Sequence, residues 1–90
     1  EIQRKVSEHY NIRLSEMIGP KRVRNYARPR QMAMYLAKHM TSRSLPEIGR
    51  RFGGRDHTTV MHGVKRIEEL KAIDSQIADD LELLRRALEE

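Results

Sequence analysis

The sequence contains no cysteine and no tryptophan, and it has only one phenylalanine and three tyrosines in 90 residues. The lack of cysteine excludes disulfide frameworks and thiolate metal sites, and it fits a reducing compartment. No apolar run approaches the roughly 20 residues of a membrane-spanning helix, and the first residues do not resemble a signal peptide. The core must therefore come from Leu, Ile, Val and Met, in a single small domain, 1–90.

Positive charge is concentrated in the first two thirds of the chain. Overall, 18 Lys and Arg stand against 13 Asp and Glu. Residues 1–66 hold 15 basic and 5 acidic side chains, whereas residues 67–90 hold 3 basic and 8 acidic ones. A basic surface attracts phosphate because binding releases counterions. The distribution favours a polyanionic partner, although a small domain can also carry such charge for solubility alone.

Apolar residues recur with helical spacing throughout, and strand signals are nearly absent. The pattern predicts an all-α fold of six helices, the second very short. Pro29 suits the first position of a helix, so residues 21–28 are predicted to form a basic loop before a helix over 29–40. The core-facing stripe of that helix is predicted to be Met32, Tyr35, Leu36 and His39.

Two adjacent helices form a helix-turn-helix pattern over about residues 45–72. Ser44 and Glu47 have the spacing of a capping box, and Asp56 is placed to cap the next helix. The glycines of the turn separate the two helices, and Gly49 lacks a side chain where they must approach closely. In this motif the first residues of the second helix face base edges in the major groove of DNA.

The predicted second helix presents a polar and basic face opposite its apolar stripe. On a wheel centred on Val60, the outward residues lie at least about 120° away; they are Thr58, His62, Lys65 and Arg66. His57 adjoins Asp56, but no Ser or Cys nucleophile accompanies them, so no enzyme is predicted. His57 and His62 lie about 140° apart around a helix, which does not favour a shared metal ion.

Three segments resemble a known family in the order in which the family has them. They are the run GGRDHTTVMH at 53–62, RPRQMAMYL at 28–36 and SLPEIG at 44–49. Together they resemble the C-terminal DNA-binding domain of the bacterial chromosomal replication initiator DnaA. The resemblance covers nearly the whole chain, apart from the last helix, which varies within the family. It does not include the ATPase domain that precedes this domain in the family.

The resemblance implies a role for individual residues. Arg22 would enter the minor groove, whereas Asp56, His57 and Thr58 would read bases in the major groove of an asymmetric DnaA box such as TTATNCACA. For backbone or packing contacts the resemblance implies Arg30, Gln31, Lys38, Leu45, Pro46, Thr59 and His62. Such contacts are also expected from the further basic residues Arg24, Arg55, Lys65 and Arg66.

The expected function is therefore sequence-specific binding of double-stranded DNA at origin sites, by one chain per box, in the cytoplasm at the nucleoid. No cofactor or metal is expected in this domain; ATP would bind the missing ATPase domain. Acidic phospholipids and regulatory proteins are further candidate partners of the full-length protein. The alternative is a general nucleic-acid or acidic-membrane-surface binding module.

Overall fold

The computed structural model describes residues 1–20 and 24–90, and this part of the chain contains helices and no strands. The helices are α1 (Ile2–Tyr10), α2 (Leu14–Ile18), α3 (Arg24–Met40), α4 (Leu45–Arg51), α5 (His57–Leu70) and α6 (Ser75–Glu89). The prediction of an all-α fold with six helices and a very short second one is confirmed. None of the helices described is both long and apolar enough to cross a membrane.

Helix α3 forms the centre of the domain, with α1, α2, α4 and α5 packed around it. All side chains from residue 32 to residue 37 are buried. Val6 of α1, Ile48 of α4, and Val60 and Ile67 of α5 complete the same core. Because the neighbouring helices cover nearly the whole circumference of α3 over this run, its position fixes theirs.

The start of α3 differs from the predicted one. The helix begins at Arg24 and contains Pro29, so the loop predicted over 21–28 is wrong for residues 24–28, while 21–23 lie outside the described residues. A proline inside a helix removes one backbone hydrogen bond. A contact to α2 stabilises this extra turn, since the Tyr26 hydroxyl donates to Glu16. Arg30, in the following turn, also donates to α2, to the Met17 carbonyl at 2.8 Å.

His39 is exposed, contrary to the prediction that it faces the core. Met32, Tyr35 and Leu36 of the same predicted stripe are buried. The His39 ring lies against Tyr35, with 4.3 Å between ring centroids. The wheel position of His39 is therefore correct, but its ring covers the edge of the core from outside because the last turn of α3 lies at the surface.

The predicted starts of α4 and α5 are confirmed in atomic detail. Ser44 Oγ accepts a hydrogen bond from the Glu47 backbone N–H at 3.3 Å, and Glu47 Oε1 accepts one from the Ser44 N–H at 3.1 Å. Asp56 Oδ1 accepts from the Thr59 N–H at 2.9 Å. Asp74 caps α6 in the same way. These caps satisfy backbone donors that have no partner inside a helix.

Helix α6 is fastened to α1 by a buried carboxylate. Asp80 Oδ1 lies 2.9 Å from His9 Nε2, and Asp80 Oδ2 accepts from the Tyr10 hydroxyl at 3.0 Å. Gln76 donates to Asp80 Oδ1 at 3.0 Å. Burial raises the pKa of Asp80, but the hydrogen bonds from His9, Gln76 and Tyr10 together outweigh burial and hold its pKa below the usual range.

Candidate nucleic-acid interface

The helix-turn-helix is closed tightly at Gly49. A Cβ atom on this residue would lie 2.0 Å from the Arg55 carbonyl oxygen, and the Arg55 N–H donates to the Gly49 carbonyl at 2.9 Å. The predicted close approach of the two helices is therefore confirmed. Gly53 in the turn has φ +79°, and a Cβ there would lie 2.2 Å from the Ile18 carbonyl oxygen. The turn thus packs directly against the end of α2.

The first turn of α5 is accessible to solvent. His57, Thr58 and Thr59 are all exposed, whereas Val60 behind them is fully buried. A backbone hydrogen bond from Thr59 lowers the pKa of Asp56, so this cap stays ionised at neutral pH. The arrangement presents short polar side chains at the end of a rigid 14-residue helix.

The outer face of α5 carries the predicted basic residues. His62, Lys65 and Arg66 are exposed, while Ile67 is buried on the opposite side. Arg66 pairs with Glu69 at 3.4 Å on the surface, a contact that is weak in water. The wheel prediction for this helix is confirmed, and its solvent face is free to meet a charged ligand.

Helices α3 and α5 approach each other closely beside this face. A Cβ on Gly63 would lie 3.2 Å from Met34 Sδ and 3.3 Å from Gln31 Cγ. The surface notch formed there, which we call the α3–α5 notch, is lined by Ala27, Arg28, Gln31, His62 and Arg66. Its lining includes two arginines and no carboxylate, so it suits an anion.

Two of the expected backbone-contact residues are engaged inside the protein. Arg30 is 6% exposed, and it donates to the carbonyls of Met17, Glu16 and Gly19 at 2.8, 2.8 and 3.0 Å. Arg55 donates to the same Gly19 carbonyl at 2.6 Å and to the Phe52 carbonyl. Both arginines cap the end of α2: Arg30 joins it to α3, and Arg55 joins it to the turn of the helix-turn-helix. Their observed contacts are structural.

The remaining predicted residues lie in different surroundings. Lys38 is exposed on α3, Pro46 is exposed at the start of α4, and Leu45 beside it is half-buried. Arg24 begins α3, but its side chain is outside the described part of the chain, as is Arg22 entirely. The structure therefore brings Thr59, His62, Arg30, Gln31 and Arg55 around one surface hollow, with the first turn of α5 at its end.

Arg28 belongs to this surface but was not among the predicted site residues. Its Nη1 donates to Gln31 Oε1 at 2.7 Å. The missed signal was the spacing of three residues between Arg28 and Gln31, which places two side chains on one helix face. That spacing indicates a pair only within a helix, whereas the sequence predicts a loop at residue 28.

Comparison with known proteins identifies the family. The family model described as "Bacterial dnaA protein helix-turn-helix" matches residues 1–67. The chromosomal replication initiator protein DnaA of Roseobacter denitrificans is 88% identical over 90 residues, which are all of this chain and 20% of that protein. The protein of the same name from Brucella abortus is 58% identical over 88 residues, covering 98% of this chain and 18% of that protein.

A solved structure agrees with these relatives. A crystal structure described as a DNA replication initiation factor matches with a TM-score of 0.83 and 31% identity, covering 96% of this chain and 26% of that one. The chain thus spans about a fifth of the length of the curated relatives cited above. On the sequence match, the shared fold and the helix-turn-helix described above, this chain belongs to the bacterial DnaA protein helix-turn-helix family.

Proposed function

We propose that this chain binds duplex DNA sequence-specifically at DnaA boxes, as the DNA-reading module of a replication initiator. The observation that carries the proposal is the exposed first turn of α5. His57, Thr58 and Thr59 stand free there, on a helix fixed against α4 at Gly49. In a helix-turn-helix protein these positions enter the major groove.

The side chains divide into reading and anchoring groups by chemistry and place. Thr58 offers a methyl group to a thymine and a hydroxyl to a base edge, and the carboxylate of Asp56 can accept from a cytosine amino group. Lys38, Lys65 and Arg66 are exposed cations, which suits them to phosphates. Phosphate contacts set the register of the complex but carry no sequence information directly.

Arg22 is proposed to read the minor groove of the A·T-rich half of the box, on the family resemblance alone. An inosine·cytosine pair lacks the guanine amino group and therefore resembles A·T in the minor groove. Replacing A·T by I·C under Arg22 should preserve most of the affinity, whereas G·C should reduce it. The Arg22→Ala protein should no longer distinguish I·C from G·C. Equal binding of the unmodified protein to both would contradict this role.

The relatives are about five times as long as this chain, so we extend the proposal to a longer protein that contains it. An upstream ATPase domain would bind ATP, and this chain would contribute DNA recognition without catalysis or a cofactor of its own. An asymmetric box and a single reading helix favour one chain per site. Action on the chromosome would place the protein at the nucleoid.

Burial argues against the two alternative modules. Membrane attachment through α3 needs an apolar face, yet its apolar side chains from residue 32 to residue 37 are all buried in the core. RNA-binding modules stack bases on exposed aromatic rings. Here Phe52 and Tyr35 are buried, and Tyr10 and Tyr26 are half-buried. Duplex DNA is therefore the favoured ligand.

Selection from random duplexes tests the function directly. The chain should enrich a single asymmetric motif that resembles TTATNCACA, and sedimentation of the complex should show one chain per motif. Recovery of duplexes without a common motif would contradict sequence-specific reading. A parallel selection with Thr58→Ala, whose folding is checked by circular dichroism, should return a motif weakened at one position.

A further inference from the structure

The side chain of Gln31 is held at both ends in the α3–α5 notch. At its stem, Cγ fits against α5 at Gly63, where a Cβ would lie only 3.3 Å away. At its tip, Oε1 accepts a hydrogen bond of 2.7 Å from Arg28 Nη1. These two contacts fix both the position and the orientation of the carboxamide.

The orientation matters because the two ends of a carboxamide differ chemically. One end is an acceptor oxygen and the other is an NH₂ group with two donors. A guanidinium has donors only, so Arg28 can pair only with the oxygen and turns the NH₂ group away from itself. That group has no acceptor among the described residues. It is therefore available to a ligand.

The surroundings of the amide define which ligand fits. Arg28, His62 and Arg66 line the notch with it, and no carboxylate does. Phosphate diester oxygens are acceptors only and carry negative charge, so they would be attracted by both the NH₂ group and the arginines. If the carboxamide were flipped, Gln31 Oε1 would face the phosphate oxygen, and two acceptors cannot form a hydrogen bond.

We propose that Arg28 is a positioning residue for DNA binding: it holds Gln31 with its NH₂ group facing a backbone phosphate in the α3–α5 notch. The proposal rests on the DNA-binding function proposed above and adds a residue to it. Arg28 acts through Gln31, so its contribution should depend on the presence of Gln31.

A double-mutant cycle measures this dependence. Binding to the selected box is compared for the unmodified chain, Arg28→Met, Gln31→Met and the double variant. We expect Arg28→Met to weaken binding about tenfold when Gln31 is present, and about threefold, from charge alone, when Gln31 is absent. Equal factors in both backgrounds would overturn the proposal, because Arg28 would then act independently of Gln31.

A rescue variant separates orientation from charge. Arg28→Gln removes the charge but keeps an N–H donor for Gln31 Oε1, so it should bind more tightly than Arg28→Met, by about threefold. Equal loss in the two variants would show that only the charge matters, contradicting the proposal. Arg4→Met on α1, which removes one exposed charge that is not part of the notch lining, should change binding about twofold or less.

Two further measurements distinguish a failure of the role proposed for Arg28 from a loss of folding and from a failure of the proposed DNA-binding function. Thermal unfolding followed by circular dichroism should give midpoints for Arg28→Met and Arg4→Met that differ by less than about 8 °C, because neither side chain is buried in the core. If the unmodified chain binds a scrambled duplex as tightly as the box, the proposed function itself fails. If the box is preferred but the cycle is additive, only the role of Arg28 fails.

Discussion

Alanine at Gly49 is the sharpest test of the geometry of the helix-turn-helix. The added Cβ would lie 2.0 Å from the Arg55 carbonyl oxygen and 3.1 Å from the carbonyl carbon. A carbon and an oxygen in favourable contact lie about 3.3–3.6 Å apart, so α4 and the turn before α5 would have to separate by more than about 1 Å. The oxygen belongs to the backbone and cannot rotate away. The Arg55 N–H···Gly49 hydrogen bond would stretch with it.

Two opposing effects set the size of the change. Overpacking of this kind costs up to about 3 kcal/mol of unfolding free energy, whereas replacing a helical glycine by alanine contributes about 1 kcal/mol in the other direction. The net expectation is a loss of about 2 kcal/mol, or a midpoint of thermal unfolding lowered by about 8–16 °C for a domain of this size. Helix propensity alone predicts the opposite sign.

Urea denaturation followed by circular dichroism measures this free energy, with the slope m confirming that the same surface unfolds. Gly63→Ala is the matched control, because it makes the same change in a helix. Its added Cβ would meet only side-chain atoms and the Gln31 Cα at an ordinary 3.7 Å, and side chains can shift. Its stability should stay within about 1 kcal/mol of the unmodified protein. A Gly49→Ala protein as stable as the unmodified one would refute the close approach.

Two more predictions address recognition and pH. Thr58→Ala should weaken binding to the box by about 5- to 150-fold but leave binding to random duplexes nearly unchanged, whereas Lys38→Ala should weaken both alike; identical behaviour in filter-binding or anisotropy titrations would contradict the division into reading and anchoring residues. The pKa of Asp80 is lowered in the folded protein, so its contribution to stability is complete above the normal aspartate pKa and is lost as pH falls through the folded-state value. Asp80→Asn should therefore be less stable than the unmodified protein at pH 7, and urea titrations should show the difference shrinking below about pH 4; a constant difference would contradict this explanation.

Local signals predict the starts of α4 and α5 correctly. Ser44 and Asp56 each cap the helix that their side chains indicated, because a cap depends on only three or four consecutive residues. The wheel for α5 also holds, with Val60 and Ile67 inside and His62, Lys65 and Arg66 outside. These features are fixed by neighbours along the chain, which a sequence displays directly.

The predictions are wrong where contacts between residues far apart in the sequence determine the structure. Pro29 indicates a helix start locally, but α3 begins at Arg24, and a contact from Tyr26 to α2 holds the additional turn. A buried Arg30 that caps another helix cannot be distinguished by sequence from an exposed arginine that meets phosphate. The Arg28–Gln31 pair was hidden for the same reason, since its spacing has meaning only on a helix.

The buried run of α3 also determines which backbone amides resist solvent. The amide hydrogens of residues 32–37 lie within nearly two turns of helix whose side chains are all enclosed by other elements. Deuterium can replace them only when the surrounding helices come apart, which amounts to unfolding of the domain. The five-residue helix α2 offers far less protection, because it can open while the centre stays intact. The slowest amides of α3 therefore report the free energy of global unfolding, and those of α2 report a local opening.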